Sequence, residues 1–217
     1  MEIIIPSILE ENINEYIRLC TELSKFSKII HIDIMDGLYV KAKSPSAEEV
    51  YSKTKNLFPF KSFHLMIDKP IDILEKLYTQ SDIHFLYIHI EFLNKELVMK
   101  YSDKIVPVIR IEQNIPEFKE IIKISRHLQI MTVEIGAQGN IFLAENLNKI
   151  KLARELGFKG KIHVDGHVTA ENIPEIMKFK PYFLNVGSAI TKATNPSHEY
   201  LRLRNLTLAY DVSQSTS

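Results

Sequence analysis

Eight short runs rich in β-branched and aromatic residues, each followed by a segment of helical character, predict an α/β fold: a single-domain (β/α)8 TIM barrel over residues 1–210. Two further observations agree. A chain of 217 residues suits one barrel domain. Glycine is scarce, 7 residues where ordinary usage of about 7% would give roughly 15, so its placement carries information. Gly37, Gly136, Gly139, Gly166 and Gly187 each follow the C-terminal end of such a run, where a barrel does its chemistry and a loop needs positive φ or close approach to a ligand. A doubly wound open sheet would share the alternation, but the count of eight favours closure.

In order, the strands are expected at Glu2 to Pro6, Lys28 to Met35, Lys61 to Met66, Phe85 to Glu91, Ile105 to Arg110, Gln129 to Glu134, Lys161 to Asp165 and Phe183 to Gly187. The helices between them are expected at Asn12 to Ser24, Ala47 to Lys55, Pro70 to Gln80, Lys95 to Tyr101, Pro116 to Arg126, Leu143 to Leu156, Ala170 to Phe179 and His198 to Ala209. Pro70 and Pro116 suit first helical positions, with Asp68 or Asn114 as candidate caps, and Gly157 stands where the sixth helix should stop. The polar residues from Asp211 to Ser217 form an expected frayed tail.

Lys+Arg and Asp+Glu both number 27, and no basic block is present to neutralise a run of phosphates, which argues against a nucleic-acid partner. Charged or histidine residues interrupt every apolar run well short of the roughly 18 residues that a membrane helix needs. The single cysteine, Cys20, cannot pair within the chain, and the start at Met1 carries neither a basic region nor a long apolar stretch. The expected location is the cytoplasm.

Side chains two apart on a strand share a face. His31, Asp33 and Met35 therefore point one way and Ile30, Ile32 and Ile34 the other; His64 with Met66, and His163 with Asp165, repeat the pattern. Polar, ligand-capable groups are thus aimed into the barrel. A lone inward histidine is more often a hydrogen-bonded core residue. Two imidazoles and two carboxylates at strand ends point instead to a divalent cation, which offsets the carboxylate charge and uses the imidazole lone pairs.

Pro6-Ser7-Ile8-Leu9, His31-Ile32-Asp33-Ile34-Met35-Asp36-Gly37, His64-Leu65-Met66, Met131-Thr132-Val133, Val164-Asp165-Gly166 and Val186-Gly187-Ser188-Ala189-Ile190 together resemble the ribulose-phosphate 3-epimerases over essentially the whole chain. The resemblance implies one divalent metal ion (zinc, iron, manganese or cobalt) on His31, Asp33, His64 and Asp165. It also implies epimerisation of a small-molecule ketose phosphate at carbon 3, and a homo-oligomer. Removing a C3 proton beside a C2 ketone makes an enediolate whose charge a cation offsets, while Asp33 and Asp165 act as base and acid on opposite faces. Ser7, His64, Met35, Met66, Met131, Gly136, Gly166, Gly187 and Ser188 are the implied substrate-binding positions. His89 and Glu91, on one face of the fourth strand, are expected to support the metal ligands.

The phosphate loops depart from the family pattern. After the sixth strand the expected run with a Pro and paired glycines reads Glu134-Ile135-Gly136-Ala137-Gln138-Gly139-Asn140, and after the seventh His167 replaces the second glycine of a pair, where its Cβ should restrict positive φ. Lys41 and Lys43 stand in an altered loop after the second strand, and Arg110 ends the fifth. With Lys192, these residues are candidates for recognising a different sugar phosphate. A hexulose-phosphate 3-epimerase of the D-allulose 6-phosphate type is therefore the close alternative, and a non-catalytic sugar-phosphate-binding barrel the alternative of another class. A lyase of the hexulose-phosphate synthase and decarboxylase group calls for Asp-x-Lys-x-x-Asp, and no lysine lies between His31 and Gly37.

Overall fold

The computed structural model describes residues 3–136 and 139–215. Eight parallel strands close into a barrel in simple sequential order: β1 (Ile4–Ile8), β2 (Ile29–Met35), β3 (Phe60–Met66), β4 (Ile83–His89), β5 (Ile105–Ile109), β6 (His127–Met131), β7 (Lys161–Asp165) and β8 (Phe183–Val186), with β8 returning to β1. Around them run α1 (Ile13–Leu23), α2 (Ala47–Thr54), α3 (Pro70–Tyr78), α4 (Lys95–Lys100), α5 (Lys119–Ile124), α6 (Asn148–Glu155), α7 (Ile173–Met177), the one-turn α8 (Ser188–Thr191) and α9 (Pro196–Ser215). No helix among the described residues is long and apolar enough to cross a membrane.

The expected barrel is present, and every expected strand and helix has its counterpart. The differences lie at the ends. The fifth and sixth helices each begin with a 3-10 turn, Ile115–Phe118 and Ala144–Leu147, and strand β4 gives way to a third, Ile90–Phe92. The helix caps are not the expected ones. Neither Asp68 nor Asn114 accepts a capping bond: Lys69 and Asn114 occupy the cap positions without a side-chain bond, while Asn12, Ser46 and Asn94 accept from backbone N–H groups. Asp68 is occupied otherwise, its own N–H donating to Asp36 Oδ2 at 2.7 Å. Gly157 does stop α6, at φ +99. Helix α9 continues to Ser215, into the polar stretch that begins at Asp211; Thr216 and Ser217 lie outside the described residues.

Alternation divides the core in two. Outward residues such as Ile30, Ile32, Phe63, Leu65, Ile130 and Leu184 pack beneath the helices. The barrel interior is apolar toward its N-terminal end, where Ile5, Ile29, Phe85, Val106, Val108 and Phe183 meet. Toward the C-terminal end the interior turns polar, and there the strand ends surround a cavity.

Candidate metal centre

Parallel register sets the cluster. Asp33 on β2 lies opposite His64 on β3, while Asp165 on β7 lies opposite Met131 on β6 and Asn185 on β8. His31, one inward position below Asp33, completes a set whose four ligand atoms all lie within 4.8 Å of one another. His31 Nε2 is 3.4 Å from both Asp33 Oδ1 and Asp165 Oδ2, and His64 Nδ1 is 3.0 Å from Asp33 Oδ1.

This donor set fits a divalent cation. His31 is fully buried and, among the described residues, neither of its ring nitrogens has a hydrogen-bond partner, although Nε2 lies 3.4 Å from each of two carboxylates. Leaving a buried imidazole in that condition costs about 1 to 3 kcal/mol. Burial by itself disfavours a charged His31, but the Asp33 and Asp165 carboxylates override it and push the pKa up to about 9. Burial likewise opposes ionisation of Asp33, yet His31 and His64 hold its carboxyl well below the usual range. A cation on these lone pairs takes over the charge balance that a buried proton otherwise supplies.

The surrounding contacts orient the ligands. Ser7 Oγ donates to Asp33 Oδ2 at 2.9 Å, and Tyr16, buried on α1, donates to the Asp33 carbonyl at 2.6 Å. His64 Nε2 lies 3.0 Å from His89 Nε2, so His89 does stand behind a ligand as expected. Glu91 does not. The strand ends at His89, and the 3-10 turn that follows swings Glu91 to the rim, where it accepts from Tyr39 and Gln113 and pairs with Arg110.

Over the ligands opens a cavity lined by Ser7, Asp33, His64, Met66, Met131, Gly136, Asp165, Gly166, Gly187 and Ser188 among others. Thus all the expected substrate positions except one border it. Met35 is the exception. It stays in strand register opposite Met66, with its backbone N–H and carbonyl tied to Ser44 of the returning loop, and borders an adjoining hollow with Leu9, Ala42 and Lys192. Gly187 has φ −88, outside the left-handed region, whereas Gly166 at φ +116 lies so close to Val133 that a Cβ would sit 2.7 Å from its Cγ2.

His167 corrects the expectation for its loop. It adopts φ +51 despite its Cβ, at a cost of about 1 to 2 kcal/mol, because Asn172 braces the turn by donating to the His167 carbonyl and accepting from Thr169 N–H. The residue borders the cavity. Arg110 is instead engaged by Glu91 and Glu112 above the Tyr39 ring, while Lys41 and Lys43 are exposed on the loop after β2; none of the three borders the cavity. Ala137 lies outside the described residues.

Sequence reasoning assigned no role to Gln129 or Asn185. Both donate toward Asp165 Oδ2, from 3.2 and 3.4 Å. Strand parity was the available signal, since Gln129 shares a face with Met131, and Asn185 with Gly187.

Comparison with known proteins places this site in a family. A crystal structure of KGPDC from Streptococcus mutans superposes over 95% of this chain and 97% of that one, with a TM-score of 0.69 at 13% identity, a likeness of fold. The ribulose-phosphate 3-epimerase of Aquifex aeolicus (strain VF5) is 23% identical over 96% of this chain and 98% of its own. The cytoplasmic isoform of ribulose-phosphate 3-epimerase from Oryza sativa subsp. japonica is 26% identical over 93% and 92%. The family model for ribulose-phosphate 3 epimerases matches residues 3–191, a span that includes all eight strands and all four clustered ligands, and the chain therefore belongs to this family of carbohydrate isomerases.

Proposed function

We propose that this protein is a metal-dependent ketose-phosphate 3-epimerase, interconverting D-ribulose 5-phosphate and D-xylulose 5-phosphate. The observation that carries the reading is the convergence of ligand atoms from His31, Asp33, His64 and Asp165 within 4.8 Å of one another, the last three lining the cavity. When bound by those four residues, a divalent zinc, iron, manganese or cobalt ion would act as a Lewis acid that offsets the charge developing on the C2 oxygen. The protein's own groups do the rest. Asp33 removes or returns the C3 proton on one face of the sugar, and Asp165 does so on the other. Ser7 holds Asp33 in place, and Met66 and Met131 give the reacting carbon apolar walls that exclude water. The phosphate is assigned to the rim formed by Gly166, His167, Gly187 and Ser188.

Proton exchange tests this directly. Metal-loaded protein incubated with D-ribulose 5-phosphate in deuterated water should place deuterium at C3 of both epimers, followed by NMR. Faster turnover of D-allulose 6-phosphate would reassign the substrate to the hexulose series, and stabilisation by either compound without exchange would make the protein a binding barrel. Asp33→Asn and Asp165→Asn should each lower kcat by at least about 100-fold with the fold intact, the scale at which acid-base groups contribute. Near-normal turnover in either variant removes that residue from the mechanism. We expect the enzyme to act in the cytoplasm as a homo-oligomer, which light scattering on the purified protein would check.

A further inference from the structure

We propose that Gln129 and Asn185 form an amide pair that positions the Asp165 carboxylate, making the two acid-base groups of this site mechanically unequal; the inference rests on the epimerase reading above. The interiors of such barrels are ordinarily filled by layers of branched apolar side chains. Beneath the cavity this chain places His31, Tyr87, Gln129, His163 and Asn185 instead, none more than 1% exposed. Buried polar groups are costly unless they are bonded, so the useful question is where their bonds lead.

Those of Gln129 and Asn185 lead to one oxygen. Gln129 Nε2 lies 3.2 Å and Asn185 Nδ2 3.4 Å from Asp165 Oδ2, and Asn185 Nδ2 also donates to Gln129 Oε1 at 2.9 Å. The three side chains come from adjacent strands, β6, β7 and β8, whose register is fixed by backbone bonds, so the triangle is built into the sheet. Rotating the carboxylate would break both amide contacts at once. Oδ2, which also lies 3.4 Å from His31 Nε2, is therefore fixed, and with it the orientation of the carboxylate.

Asp33 is held differently: its Oδ2 accepts from a single hydroxyl that can turn, Ser7 Oγ, at 2.9 Å. Removing the amide pair should loosen only the Asp165 side of the proton transfer. Gln129 and Asn185 are on this view positioning residues, acting through Asp165.

The test uses Gln129→Met and Asn185→Val, which remove the amides while roughly keeping volume, in the full-length metal-loaded protein with D-ribulose 5-phosphate and D-xylulose 5-phosphate in deuterated water. Each variant should lose about 10- to 100-fold in kcat with KM changed less than about threefold, and the double variant should fall short of the product of the two losses. The distinguishing readout is the partition of label. When only the Asp165 step is slowed, the epimer deprotonated by Asp33 gains deuterium at C3 faster than it is converted, while its partner does not. A packing defect slows both steps alike. Metal content per chain and the melting midpoint of the metal-free protein, measured alongside, should stay near those of the wild type. Wild-type kcat in both variants, or equal washout into both epimers, overturns the positioning role. Absence of exchange in the wild type overturns the epimerase reading itself, so the two failures are told apart.

Discussion

Metal loading is the perturbation whose size the structure lets one work out. In the metal-free chain His31 is surrounded by Asp33 and Asp165 at 3.4 Å and keeps a proton up to about pH 9. A cation that binds the folded site alone stabilises by about 2.7 kcal/mol at a hundred times its dissociation constant. For a chain of 217 residues that corresponds to about 5 to 10 °C in melting midpoint. Because the ion must displace the His31 proton, apparent affinity should weaken about tenfold per unit as pH falls below 9. At a fixed metal concentration the stabilisation relative to metal-free protein then drops from about 2.7 kcal/mol at pH 8 to about 1.4 at pH 7. Chelator-treated protein titrated with zinc, manganese, cobalt and ferrous iron by scanning calorimetry measures this, with His31→Gln and Asp165→Asn as controls that should lose most of the shift. Absence of a shift with all four ions, or an equal shift in both controls, would refute the assignment of the ion to this cluster.

Three further outcomes follow from named contacts. Tyr16→Phe removes the bond to the Asp33 carbonyl from a fully buried position and should cost about 1 kcal/mol, read as a midpoint lower by about 2 to 4 °C, with little change in KM. Gly166→Ala forces a Cβ against Val133 at φ +116 and should destabilise by roughly 2 kcal/mol or more in urea unfolding, since strain and overpacking add. His127, at the N-terminal end of β6 and bonded to His163, is driven down to about 4 by burial and by nearby Lys161. The unfolded chain then binds more protons between about pH 6.5 and 4, so this contribution is present above 6.5 and lost as pH falls through that window. Urea midpoints of His127→Gln across those pH values should fall less steeply than the wild type; an unchanged slope would remove His127 from the acid sensitivity.

The fold was legible because its signals are local. Alternation within each run separates Ile30, Ile32 and Ile34 from His31 and Asp33, and the same two-residue period finds His64 and Asp165 without knowledge of any neighbour. Boundaries were less legible where a 3-10 turn intervenes: Glu91 has the parity of an inward residue, but the strand stops at His89 and the turn carries it to the rim. The caps also escaped, because which Asx or Ser side chain reaches a free N–H depends on the entry angle of the loop.

The sequence by itself determined the number and order of βα units, the sign of each strand face and the residue types available to hold a cation. Only the closed tertiary structure decided who meets whom: that His31 sits between two carboxylates 132 residues apart in Asp33 and Asp165, that Met35 borders an adjoining hollow, and that Gln129 and Asn185 converge on one oxygen. The physical reason is that facing is a property of one strand, whereas adjacency inside a barrel is set by hydrogen-bond register between strands, which closure alone fixes.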